Sequence, residues 1–344
     1  MIAIEVGVFV VDDVADFGLA AVLEVLGTAN ALREQITPAP APWTVTALGI
    51  GREVRSGAGH GVPTTPVTSL TRLPDLLIVP AVNVKGTEAL IQLVSAERCR
   101  GALELITRAR TEGVDLGAAC TGTFFLAEAG VLDGVSATTS WWVAPAFRQR
   151  YPRVTLEEGN TLRHAPGITT AGAAFAHVDL VLSLIRVQSP ALADLVSRYL
   201  LIGERAPQGA FAVPGAMAQH DPLTAAFDRW IRANLARSFT VATAAKALNI
   251  SERSLQRATA ATLGMTPIGF VHEVRLDHAT HLLRNTHLSL EAIAAEVGYR
   301  NVGTLRDLAR RRRGMTLREL RRGSFSGSEP GLSGSVRNLS GPFT

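Results

Sequence analysis

The stretch from Phe239 to Arg322 repeats itself at a period of about fifty residues, and this doubling constrains the chain more than any other feature. The first copy opens on Thr240 and closes on Leu263-Gly264-Met265-Thr266; the second opens on Ser289 and closes on Arg313-Gly314-Met315-Thr316. Each opens with a hydroxyl residue suited to N-capping and then places apolar residues at i, i+3, i+4 and i+7. These are Val241, Ala244, Ala245 and Leu248 in one copy, and Leu290, Ile293, Ala294 and Val297 in the other. A short break follows (Asn249-Ile250, Gly298-Tyr299), then a second helix carrying Leu255 or Leu305 inward. Two short helices joined by a tight turn, twice, make a tandem helix-turn-helix. A plain helical bundle would not need the doubled turn or the shared Gly-Met-Thr closure.

Charge separates this part from the rest. Residues 1–222 hold 16 Lys+Arg against 21 Asp+Glu, a net of −5, whereas residues 223–322 hold 17 against 8, a net of +9. The whole-chain net of +4 hides an acidic region and a basic one. A basic helix-turn-helix segment is the electrostatic footprint of a nucleic-acid binder. With 344 residues the chain is too long for one ordinary core, and two domains are expected.

With those observations in place, the repeated unit resembles the DNA-binding domain of the AraC/XylS-family transcription regulators. The helix between the copies, with Pro267 at its first position and Phe270, Val271, Val274, Leu282 and Leu283 as its packing face, fits that pattern. The resemblance implies double-stranded DNA as partner and base-reading positions at Arg253, Gln256 and Arg257 behind the capping Ser251. Arg suits guanine and Gln suits adenine, both bidentately, while phosphate contact is the plainer alternative. The same positions in the second copy hold Val302, Gly303, Arg306 and Asp307, a weaker set in which the acid would repel phosphate. Arg310 to Arg313 reads as a solvated or phosphate-touching helix end.

Residues 1–205 alternate strand-like and helix-like stretches. Ile2 to Val11, Trp43 to Gly49, Leu76 to Pro80 and Val114 to Ala118 read as strands, and Phe17 to Ala31, Ala96 to Thr111 and Thr123 to Ala129 as helices. The alternation argues an α/β class: an open parallel sheet flanked by helices, of flavodoxin or amidotransferase type, followed by the all-α tandem domain. At Gly117-Ala-Ala-Cys120-Thr-Gly-Thr123 a strand ends, small residues flank a cysteine, and a helix starts at once, as in a nucleophile elbow.

This joint, with Leu126 to Gly134 and Ala137-Thr-Thr-Ser-Trp141 behind it, resembles the PfpI/ThiJ domain of the glutamine-amidotransferase-like fold. That domain ahead of a tandem helix-turn-helix resembles the GlxA-type members of the AraC family. The resemblance implies a ligand pocket around Cys120, Thr121, Gly122, Ala81 and Ser140. The departures count against catalysis. Gly18 stands where enzymes of the fold carry an acid, with Asp16 expected to face elsewhere. Ser140 replaces a histidine common in relatives, and Pro80-Ala81-Val82 replaces a Pro-Gly-Gly oxyanion loop. A thiol without acid, base or oxyanion donors is poorly equipped for acyl chemistry. The expectation is a non-catalytic sensing or dimerising domain; the alternative is a Cys120-dependent enzyme or redox switch.

The remaining expectations are brief. Residues 206–222, with their prolines, read as a linker, and 323–344 as a disordered tail. Two cysteines, Cys99 and Cys120, make no disulfide framework, and the N-terminus lacks a signal-peptide pattern, so a cytoplasmic protein without membrane spans is expected. His272, Asp277, His278 and His281 cluster at spacings that could hold a metal but read as solvated helix surface; no metal or cofactor is expected. The implied partners are a homodimeric copy through residues 1–205, a small-molecule effector, and RNA polymerase if the output is activation.

Overall fold

The computed structural model describes residues 2–84, 86–203, 208, 215, 218, 221–313 and 315–322. The expected tail, and most of the expected linker, lie outside the described residues. The chain divides into two compact units, Met1–Val274 and Arg275–Thr344.

Residues Ile4–Phe9 form β1, and the reason is legible in their alternation. Val6 and Val8 pack on one side with the helix Asp16–Leu32 (α1), whereas Phe9 joins the cluster on the other side. Both faces are covered, so the strand is apolar nearly throughout. Around it lie β2 (Trp43–Gly49), β5 (Thr65–Pro66), β6 (Leu76–Val79), β7 (Asp115–Ala119), β10 (Leu162–Ala165) and β11 (Ile168–Ala171). These seven strands make one sheet in the order β10-β11-β7-β6-β1-β2-β5. Every pairing is parallel except the β10–β11 hairpin at one edge. The expected parallel sheet is present, with an antiparallel edge that alternation alone did not announce. Two small ribbons, β3 (Glu53–Arg55) with β4 (Gly61–Pro63) and β8 (Ser136–Ala137) with β9 (Thr155–Leu156), sit outside it.

One face of the sheet is covered by α2 (Thr87–Val94), α3 (Arg100–Thr111), α4 (Thr123–Glu128) and α5 (Ala144–Arg150). The other is covered by α1, α6 (Ala176–Gln188) and α7 (Pro190–Tyr199). Chain order reverses between β1 and β6, and in doubly wound sheets ligands sit beyond the carboxyl ends of strands near such a point. Cys120 follows the carboxyl end of β7, the neighbour of β6.

The first helix-turn-helix belongs to the same compact unit. Helix α8 (Pro222–Ala233) is capped by Asp221; α9 (Val241–Ala247) and α10 (Glu252–Leu263) are capped by Thr240 and Ser251, each hydroxyl accepting the N–H three residues on. Their core is Phe227, Ile231, Ala244, Ala245, Leu255 and Leu263, with Phe270, Val271 and Val274 from the start of α11 (Pro267–Asn285). The turn passes through Asn249 in the left-handed region (φ 57°), which asparagine tolerates.

The second unit has its own core. Helices α12 (Leu290–Glu296), α13 (Val302–Arg313) and α14 (Leu317–Arg322) pack Ile293, Ala294, Val297, Leu305, Ala309, Leu317 and Leu320 on Leu276, Ala279 and Leu283. Its turn uses Gly298 (φ 77°), the counterpart of Asn249. Among the described residues no helix is long and apolar enough to cross a membrane.

Candidate nucleic-acid interface and elbow site

On α10 the apolar residues Leu255 and Leu263 turn inward, and Arg253, Gln256 and Arg257 are all exposed. Ser251 accepts the Ser254 N–H at 3.0 Å and so fixes where the helix begins. Three polar side chains thus share the outer face of the helix that follows the turn.

The second head corrects one expectation. Val302 is only 9% exposed and belongs to the second core, so it does not point outward with Gly303, Arg306 and Asp307. A residue at the first position of a helix whose neighbour three on, Leu305, is buried falls on the buried face. The exposed position missed from sequence is Thr304, whose N–H and hydroxyl both bond Asn301 Oδ1, at 2.9 and 3.1 Å. Asn301 is the cap that could have revealed it. Asp307 lies 4.0 Å from Arg311 one turn on, which tempers its repulsion of phosphate. Arg313 is paired to Asp277 at 2.9 Å within the unit, leaving Arg310 and Arg311 as the exposed members of the basic run.

At the elbow, Cys120 adopts φ 58°, left-handed for a non-glycine residue, and is 5% exposed. A side chain at Gly122 would run into the carbonyl oxygens of Val79 and Pro80, so only glycine lets this turn pass the end of β6. Ser140 donates to Cys120 Sγ at 2.8 Å, and Thr139 donates to the Cys120 carbonyl at 2.7 Å. Burial pushes the thiol pKa up, with the bonds from Ser140 and Thr121 opposing it. The five residues assigned to a pocket, Cys120, Thr121, Gly122, Ala81 and Ser140, are all buried, and it is this desolvation that favours the protonated thiol.

The two backbone N–H groups in the place of an oxyanion hole are both taken. Val82 N–H donates to Thr121 Oγ1 at 2.8 Å, and the same hydroxyl donates to Val82 O. Ala81 N–H donates to Nε2 of His177 at 3.1 Å. Sequence reasoning missed His177, which stands just beyond β11 on α6 and is 1% exposed. Its Nδ1 faces the Ala174 carbonyl at 2.7 Å, so Nδ1 carries the proton and Nε2 accepts. Burial lowers its pKa to about 4, the Ala174 bond opposing. The ring fills the space above Gly18: a Cβ there would lie 2.7 Å from His177 Nε2. A neutral histidine occupies the room that an acid on α1 would need.

Asp16 does face elsewhere. Its carboxylate takes Ser56 Oγ at 2.5 Å, Ala58 N–H at 2.9 Å and His60 Nδ1 at 2.9 Å, tying α1 to the β3–β4 ribbon. The Ser56 and His60 bonds hold its pKa down at about 2.

Comparison with known proteins adds to this geometry. A family model described as a helix-turn-helix domain matches residues 244–323. The chain is 32% identical over 192 residues to the HTH-type transcriptional regulator CdhR of Pseudomonas aeruginosa, covering 54% of this chain and 56% of that protein. It is 27% identical over 300 residues to GbdR of the same species, covering 86% and 77%. It is 26% identical over 219 residues to GlxA of Rhizobium meliloti, covering 62% and 67%. The chain is thus similar to HTH-type transcriptional regulators along most of its length, and carries a helix-turn-helix domain over residues 244–323. The first of these relatives is matched over little more than half its own length. The matched helix-turn-helix domain spans most of the first head and all of the second.

Proposed function

We propose that this regulator reads its operator mainly through the first head, and that residues 1–205 form a non-catalytic domain that binds a small effector, pairs two chains, or both. Residues 223–322 are then the DNA-binding domain, and RNA polymerase is a partner if the output is activation. The observation that carries the reading is the outer face of α10, where Arg253, Gln256 and Arg257 are exposed together above buried Leu255. Selection of duplexes from a randomised library by the wild-type chain and by Arg257→Ala tests it. Loss of preference at one base pair in the variant supports the assignment, and an unchanged preference refutes it.

The absence of catalysis rests on the engaged Ala81 and Val82 amides, the neutral His177 and the raised thiol pKa. Self-association is supported by Phe17 and Leu23 exposed on α1, with the exposed Phe175 ring tilted against Phe17, centroids 4.7 Å apart. The Cys120-dependent enzyme or redox switch keeps one observation in its favour, the left-handed elbow itself. Turnover of small amides that is abolished by Cys120→Ser would install that second reading; no turnover in either chain upholds the first.

A further inference from the structure

The strip from Thr138 to Trp142 is bound to three parts of the chain at once. At its start, Gln208, only 4% exposed, donates its amide to the Thr139 carbonyl at 2.7 Å and to Thr138 Oγ1 at 3.2 Å, and accepts the Ala173 N–H at 3.0 Å. Its own N–H donates to Thr161 Oγ1 at 2.9 Å, and a side chain at Gly172 would collide with it. Gln208 precedes the first head in the chain. In the middle, Thr139 and Ser140 hold the carbonyl and the thiol of Cys120. At its end, Trp141 and Trp142 stand edge to face at 5.4 Å and pack against the core of the first head, the cluster of Phe227, Leu255 and Phe270. Trp142 also packs against the core of the sheet. Helix α5, which follows at once, lies against α10, and Arg148 reaches to the close of that helix at Gly264.

We propose that this strip is a relay which couples the Cys120 elbow to the first reading head and, while the head is docked, holds DNA affinity down. The proposal rests on the regulator reading above and adds to it the regulation of the elbow site. Its parts are contiguous, Thr138 to Ser140 buried and the two tryptophans half-buried, so a change at Cys120 that dislodges Ser140 moves the residue bonded directly to Trp141. The sign follows from the groove. A recognition helix in the major groove has a phosphate backbone along each flank, and docking holds α5 against α10, with its Arg148 and Arg150 already paired to Glu158 and Glu128 at 2.6 and 2.9 Å and so not offered to phosphate. Undocking clears that flank of α10.

The test uses the full chain and a duplex that the wild type has selected from a randomised library. Trp141→Ala with Trp142→Ala should tighten binding by about tenfold, within the range usual for coupling between sites. Ser140→Ala, which touches no residue of the head, should tighten it in the same direction and add nothing once both tryptophans are gone. Equal or weaker binding by the tryptophan variant overturns the relay. Coupling is reciprocal, so a second measurement needs no variant. Bound DNA should speed alkylation of Cys120 by iodoacetamide while leaving Cys99, buried beside α3, unchanged; equal rates for Cys120 with and without DNA also overturn the relay. A wild type that selects no duplex removes the regulator reading and the relay with it, whereas selection with equal affinities removes the relay alone.

Discussion

Replacing Gly18 with alanine sets two effects against each other on one helix. In a helix interior alanine is favoured over glycine by about 1 kcal/mol, because less backbone entropy is lost on folding. Against this, the new Cβ would sit 2.7 Å from His177 Nε2 and 3.0 and 3.1 Å from Cε1 and Cδ2, closer than carbon atoms tolerate. The ring is fixed at both nitrogens, by Ala174 O and by the Ala81 N–H, and is buried. Moving it aside leaves a buried N–H without its acceptor, at a cost of about 1–3 kcal/mol, and overpacking costs a similar amount. The clash wins, and a net loss of about 2 kcal/mol is expected.

Gly27 supplies the control. It lies on the same helix, and a Cβ there would meet nothing within 4 Å. Gly27→Ala should therefore stabilise by about 1 kcal/mol. Hydrogen exchange of the central strands β1 and β6, followed through urea, reports opening of the sheet rather than of the heads. Shifts of opposite sign are expected. If Gly18→Ala matches or exceeds wild type, His177 does not fill that space as described.

Arg257→Ala and Gln256→Ala should each cost roughly 1–3 kcal/mol of operator affinity and relax preference at one base pair, measured against a randomised library. Asp307→Ala should leave affinity unchanged or tighten it on all sequences, since Arg311 already offsets part of its charge; a loss confined to one base pair would make Asp307 a reader instead. The logarithm of affinity should fall with the logarithm of salt by about 0.9 per phosphate contacted, and a flat salt dependence would contradict the role assigned to the basic segment. Below the ordinary imidazole value of 6.5 the unfolded chain takes up a proton that folded His177 refuses until about pH 4. Stability from this residue is therefore fully present above pH 6.5 and is lost as the pH falls to about 4, by about 3 kcal/mol in all. Exchange of β6 against pH should show the loss, and His177→Gln should flatten it.

Much of the architecture was legible because it is written in periods. The alternation of β1, the capped i, i+3, i+4, i+7 helices of both heads and the small residues around Cys120 are local signals, and each element stands within a few residues of its expected place. What was not legible depends on contacts far apart in sequence. His177 meets Ala81 across 96 positions and Gly18 across still more, so Gly18 read only as a missing acid and not as room made for a ring. Gln208 sat in a proline-bearing stretch whose composition said linker, and only its partners around residues 138–173 reveal an anchor. Val302 was misassigned by carrying over a position without checking which face its helix buries; the inward Leu305, three residues on, already held the answer.

The elbow and the reading head look like separate features only when each is described from its own motif. A left-handed cysteine costs about 1–3 kcal/mol and persists only where its surroundings over-determine it. In an enzyme that strain aims a nucleophile at substrate, but here Ser140, Thr139 and Thr121 tie the elbow into the protein instead, and the amides that would meet a developing oxyanion are already bonded. On the proposed reading the strain serves position rather than reaction. What it positions is the strip running through Ser140 to the two tryptophans, and these touch the hydrophobic core of the DNA-reading head rather than its surface. A contact with a core is sensitive to displacements of a few tenths of an ångström, because close-packed interiors respond to a shift by repacking, not by gradual deformation. On the proposed reading, the geometry that holds the thiol is the same geometry that holds the strip against the head.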